Sequence, residues 1–156
     1  MTSLAFDVKD VYLTGLHVER GPIKPSSDKS TLHAQIDFDV PAAEYSPGNV
    51  RVRVTTRFRI RLFLDGPPPE DIEPADAPNL IGTLETSFRA NVDADRSVEE
   101  SDAESGALEP AIDLAIPLIH PYHRAALESH SAMLGVSPLR LPVNWDVVAA
   151  NLAGGE

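Results

Sequence analysis

From Asn49 to Asp65 the chain alternates with a period of two. Val50, Val52, Val54, Thr56, Phe58, Ile60, Leu62 and Leu64 fall on one parity, and Arg51, Arg53, Thr55, Arg57, Arg59 and Arg61 on the other. Side chains of an extended chain point alternately to opposite faces, so this pattern predicts a long strand with one face in a core and the other in water. Thr31 to Val40 repeats it, with Leu32, Ala34, Ile36, Phe38 and Val40 opposing His33, Gln35, Asp37 and Asp39. So does Leu80 to Asp93, where Leu80, Gly82, Leu84, Thr86, Phe88, Ala90 and Val92 point inward. The first run is apolar at Phe6 and Val8, then at Val11 and Leu13, then at Leu16 and Val18. Two changes of parity predict bulges near Lys9-Asp10 and near Gly15, because one extra residue resets which face points inward. Four strands are therefore expected, at about 4–20, 31–40, 49–65 and 80–93.

Loops separate them. Gly21-Pro22 with Lys24-Pro25-Ser26-Ser27-Asp28 follows the first strand, and Pro41, Pro47-Gly48 and Asn49 mark the next turn. Gly66-Pro67-Pro68-Pro69 opens a polar, proline-rich excursion that reaches Pro78. Asp93 to Glu109 holds seven acidic residues and one basic residue, Arg96. It reads as a mobile acidic crossover, 93–110, between sheet and helices.

Ala111 to Ile119 alternates like a strand at Ile112, Leu114, Ile116 and Leu118, yet Pro117 suits the first residue of a helix. Pro121 to Gly135 is rich in helix formers and ends on a glycine, as helices do. A helix over about 117–134, kinked at Pro121, is expected. Pro138 forbids its continuation, Leu139 and Leu141 flank Arg140 as in an extended connector, and Asn144 or Asp146 caps a short helix over about 145–152.

With 156 residues, 42% of them apolar, the chain is long enough for one core and does not ask for two, so a single domain over 1–156 is expected. It has no apolar run long enough for a membrane span, and Met1-Thr2-Ser3-Leu4 followed by Asp7 lacks a basic region leading into an apolar stretch. A cytoplasmic protein without membrane insertion is expected. Cysteine is absent, which excludes disulfides and thiol chemistry.

Thirteen basic against twenty-four acidic side chains give a formal charge of −11, which repels phosphate backbones and makes nucleic acid an unsuitable partner. The arginine column on the third strand admits two readings: a phosphate or nucleic-acid track, or a rung of ion pairs with Asp37, Asp39 and Glu85. The total charge, and the lack of aromatic residues on the same parity as the arginines, favour the ion pairs. The chain has no glycine-rich phosphate loop, no Gly-x-Ser-x-Gly and no His-Glu-x-x-His. His120, His123 and His130 share helical spacing, but without an acid at metal-ligand spacing they read as a solvated helix surface. An enzyme is the least favoured class, and no cofactor or metal is expected.

The order Pro121-Tyr122-x-Arg124, Gly135-x-x-Pro138, Leu139-x-Leu141 and Pro142-Val143-Asn144-Trp145-Asp146 resembles the C-terminal half of the SecB family of export chaperones, in which phenylalanine usually stands where this chain has Trp145. Phe6, Val8, Val11, Tyr12 and Glu19 resemble that family's first strand more loosely. The resemblance implies an α+β fold: a four-stranded antiparallel Greek-key sheet, then a long kinked helix and a short C-terminal helix.

It also implies an ATP-independent holding chaperone for non-native polypeptides, assembled as a homo-oligomer, a dimer of dimers, through the first strand and long helix. Tyr122, Met133, Leu139, Leu141, Val143, Trp145 and Val148 are the candidates for an apolar client groove. A chaperone dedicated to one client such as an antitoxin, or a structural oligomer, is the alternative. SecB proteins dock on the motor SecA through acids on the outer sheet face; here Glu19 and Glu85 are the remnants, the other positions falling at Gly15 and near Thr83. Weak or absent SecA binding is expected.

Overall fold

The computed structural model describes residues 3–23, 31–39 and 41–136. They form β1 (Phe6–Arg20), β2 (Leu32–Phe38), β3 (Ala42–Tyr45), β4 (Asn49–Leu64), β5 (Leu80–Val98), α1 (Glu100–Glu104) and α2 (Glu109–His130), with a 3-10 turn, Ser131–Leu134, continuing α2. All strand pairs are antiparallel, in the order β1-β5-β4-β2, and β3 also pairs with β4. β2, β4 and β5 follow one another across the sheet while β1 returns beside β5, which is Greek-key connectivity.

The parity changes of β1 are bulges. Its register against β5 shifts between Val8 and Asp10 and again between Leu13 and Gly15, so Lys9 and Thr14 are the extra residues. Val8, Val11, Leu13, Leu16 and Val18 thereby all lie opposite the inward-facing row of β5.

Three elements differ from the sequence expectation. The sheet gains a short fifth strand, because the chain beyond β2 returns to β4, placing Ala42 opposite Thr55 where a turn was expected. Pro41, which has no N–H for a ladder, lies at the break between β2 and β3. β5 runs on to Val98 instead of giving way to a mobile crossover at Asp93: Ala94 and Val98 are buried. Arg51 holds Asp93 at 2.9 Å and Arg96 holds Asp102 at 2.7 Å, so these acids are neutralised where composition alone suggested repulsion. The long helix begins at Glu109, eight residues before Pro117, with Pro110 in its first turn and both Pro117 and Pro121 inside it. Ala111, Ala115 and Ile119, four apart, are fully buried, and that helical row overrides the strand-like alternation of the same segment. The expected C-terminal helix, 145–152, lies outside the described residues.

The core lies between α2 and one face of the sheet. One cluster joins Val52, Val54, Phe88, Ala90 and Val92 to Ala111, Ala115 and Ile119. The other joins Phe58, Ile60, Leu62 and Leu84 to Leu127 and Leu134. Where β1 ends, Gly82 lets Leu134 lie directly on the sheet, since a Cβ there would stand 2.5 Å from both Leu134 Cδ2 and the Glu19 carbonyl oxygen.

Candidate functional site

Between the two clusters sits a polar rung. His123 is buried, with Nε2 at 2.7 Å from Thr56 Oγ1 on β4 and Nδ1 at 2.6 Å from Thr86 Oγ1 on β5. The rings of Phe58 and Phe88 pack on it, with centroids 5.3 and 4.8 Å away. Burial, reinforced by His120, pushes its pKa down to about 3, so the ring is neutral. His120 is buried too, which corrects the expectation of a solvated histidine face. The signal was present in the sequence: His123 is four residues from both Ile119 and Leu127, and Thr56 and Thr86 fall on inward parities. Among the described residues no group of three or more His, Asp or Glu side chains is arranged to hold a metal.

α2 is apolar on a second row as well. Leu114, Leu118 and Tyr122 follow the buried row one residue out of step, about 100° round the helix, and remain 39, 48 and 48% exposed. A helix apolar over so wide an arc ordinarily has a second partner. Beside it, Leu13 and Leu16 of β1 face the same side of the sheet as the core but stay 51 and 39% exposed. Leu13 is paired with Phe88, whose ring lies 5.9 Å from that of Tyr122, so the strand and helix surfaces are contiguous. β1 is also an edge strand, with β5 on one side and no strand among the described residues on the other.

A second apolar feature lies at the far end of α2. Arg20, Gly21, Pro22, Ile23, Ile81, Leu134 and Gly135 line a half-open cleft of about 320 Å³. Arg20 Nε donates to the Met133 carbonyl oxygen at 3.1 Å, and the Met133 side chain is 52% exposed.

Tyr122 and Met133, both groove candidates, therefore belong to different surfaces, eleven residues apart, the first on α2 and the second on the 3-10 turn that follows it. Leu139, Leu141, Val143, Trp145 and Val148 lie outside the described residues. Sequence reasoning missed Leu13, Leu16, Leu114 and Leu118; the spacing of four from Leu114 to Tyr122, alongside Ala111-Ala115-Ile119, is the pattern that marks them.

The other face of the sheet carries the arginine column as a ladder of ion pairs. Arg61 meets Asp37 and Arg59 meets Glu85, both at 2.8 Å, and Arg57 stands 3.5 Å from Asp39 and 3.4 Å from Glu85. Of the two acids named as docking remnants, Glu85 is thus shared between two arginines. Glu19 is well exposed, 3.4 Å from His17.

No family model and no curated protein sequence matches the chain. Among solved structures it is similar to that of the Mycobacterium tuberculosis SecB-like chaperone Rv1957 in complex with a ChAD peptide from the antitoxin HigA1. The match covers 88% of each chain, with a TM-score of 0.58 and 18% sequence identity. The helix-backed Greek-key sheet of this protein is a SecB-like fold.

Proposed function

We propose that this protein is a holding chaperone that binds non-native polypeptides without ATP, releases them passively, and works in the cytoplasm without cofactor, metal or catalysis. The observation that carries the reading is apolar surface left open on a fold shared with a peptide-bound chaperone. The cleft at the end of α2, lined by Ile23, Ile81 and Leu134, has room for an apolar side chain of an extended client. Burying one leucine-sized side chain contributes roughly 1.5–3 kcal/mol without reading a sequence. The Leu114-Leu118-Tyr122 row and β1 are the contacts through which subunits pair, as a dimer of dimers.

The test is a refolding, aggregation-prone enzyme mixed with the protein, followed by light scattering. We expect suppressed scattering without ATP, and several-fold weaker suppression by Met133→Glu, which puts a charge in place of an exposed apolar side chain next in sequence to Leu134 of the cleft. No suppression by the parent protein counts against holding activity.

A second reading is favoured by the peptide in the similar structure: a chaperone dedicated to one client, such as an antitoxin. A pull-down with one stoichiometric partner supports that reading, and many weakly related partners support broad holding.

A further inference from the structure

Arg51, Arg59 and Arg61 on the outer face are tightly held, at 2.9, 2.8 and 2.8 Å from Asp93, Glu85 and Asp37. Arg57 and Arg89 are held loosely. The carboxylates around them, Asp39 and Glu85 for Arg57 and Glu44 for Arg89, stand at 3.4 to 3.7 Å, beyond the roughly 2.7–2.9 Å of a charge-assisted hydrogen bond. Between these two guanidinium groups lies a half-open hollow of about 350 Å³, lined by Thr14, Thr55, Arg57, Glu85, Ser87 and Arg89 among others.

The second bulge of β1 makes the hollow. It sets Thr14 and Gly15 together against Ser87, so the floor is a glycine and short hydroxyl side chains. The hydroxyls are oriented by their neighbours. Arg89 Nε donates to Thr55 Oγ1 at 3.1 Å, and Thr14 Oγ1 donates to Ser87 Oγ at 3.0 Å. Thr55 and Ser87 each accept a hydrogen bond already and keep a hydroxyl proton to give. Among the described residues Glu85 is the one carboxylate lining the hollow, and its Oε2 is drawn to Arg59 at 2.8 Å.

We propose that this hollow binds a phosphate group, as inorganic phosphate or as the terminal group of a small phosphomonoester. Two guanidinium forks and two hydroxyl donors match the three acceptor oxygens of a tetrahedral dianion, whereas a planar carboxylate, with two oxygens, leaves donors unused. The site goes beyond the chaperone reading and does not depend on it.

Equilibrium dialysis of the full chain against radiolabelled inorganic phosphate, with phenyl phosphate as competitor, tests it. We expect saturable retention of about one phosphate per chain, weakened about tenfold by Arg89→Gln. Ser87→Asp, which keeps every arginine, should weaken it at least as much. Arg61→Gln, at the far end of the same column, should leave retention unchanged. Competition by phenyl phosphate below the phosphate concentration assigns the site to a phosphomonoester, and weaker competition assigns it to free phosphate. Retention that fails to saturate, or that Arg61→Gln lowers as much as Arg89→Gln, overturns the proposal, as does no retention at all.

Discussion

His123 ties the two central strands to the helix through both ring nitrogens, and its neutrality makes that tie pH-dependent. In an unfolded chain the imidazole takes up its proton near pH 6.5; folded, burial delays this to about pH 3. Between these values the unfolded chain binds the extra proton. Stability from this group is therefore complete above about pH 6.5 and falls as pH drops toward 3, by up to about 1.4 kcal/mol per pH unit. Urea unfolding from pH 7.5 to 5 should show the parent losing stability more steeply than His123→Gln. Equal slopes would mean that the ring protonates freely in the folded protein. The spacing of this residue from Ile119 and Leu127 carried a signal of burial that the solvated-surface reading passed over; its paired hydroxyls left none, since Thr56 and Thr86 come from strands thirty residues apart in sequence.

At the scale of elements, α2 and β1 are each apolar beyond what the chain itself covers. Leu118, exposed in the middle of the outer row, is the position where a charge would cost such an interface most. Light scattering at micromolar concentration should return a multiple of 16.8 kDa for the parent and a smaller multiple, or 16.8 kDa itself, for Leu118→Glu. A monomeric parent counts against assembly, and an unchanged mass for the variant counts against α2 as the contact. The bulges of β1 were readable because each moves an apolar residue to the other parity. The extension of β5 and the early start of α2 were not. Both lie in segments whose local composition, acidic in one and strand-like or proline-containing in the other, is outweighed by burial of Ala94, Val98, Ala111 and Ala115 against partners distant in sequence.

Over the whole molecule, a strongly negative total charge coexists with a sheet face on which arginines and acids are interleaved. A partner that docks by meeting exposed acids finds Glu85 held between Arg57 and Arg59, and Glu19 at the edge of the sheet beside His17. Mismatched potentials lower both encounter rate and affinity. We expect the SecA C-terminal region and core to bind weakly or not at all in a low-salt titration. Sub-micromolar affinity that is lost on Glu19→Arg would show that an acidic docking face survives.

The sequence by itself determined which residues alternate, and hence four long strands, their inward faces, the two bulges and the ion-pairing arginine column. These are properties of one strand and the next, set by a period of two and by local charge. Tertiary structure decided what no single segment carries: that Thr56, Thr86 and His123 form one buried rung, that two acids in the supposed crossover each find an arginine, and that one helix accommodates two prolines. It also decided which apolar residues stay uncovered. Leu13 and Val54 look alike in the chain, but the helix that covers Val54 leaves Leu13 exposed at the edge. Coverage depends on where an element is laid down across the sheet, and that is settled by packing among segments far apart in sequence.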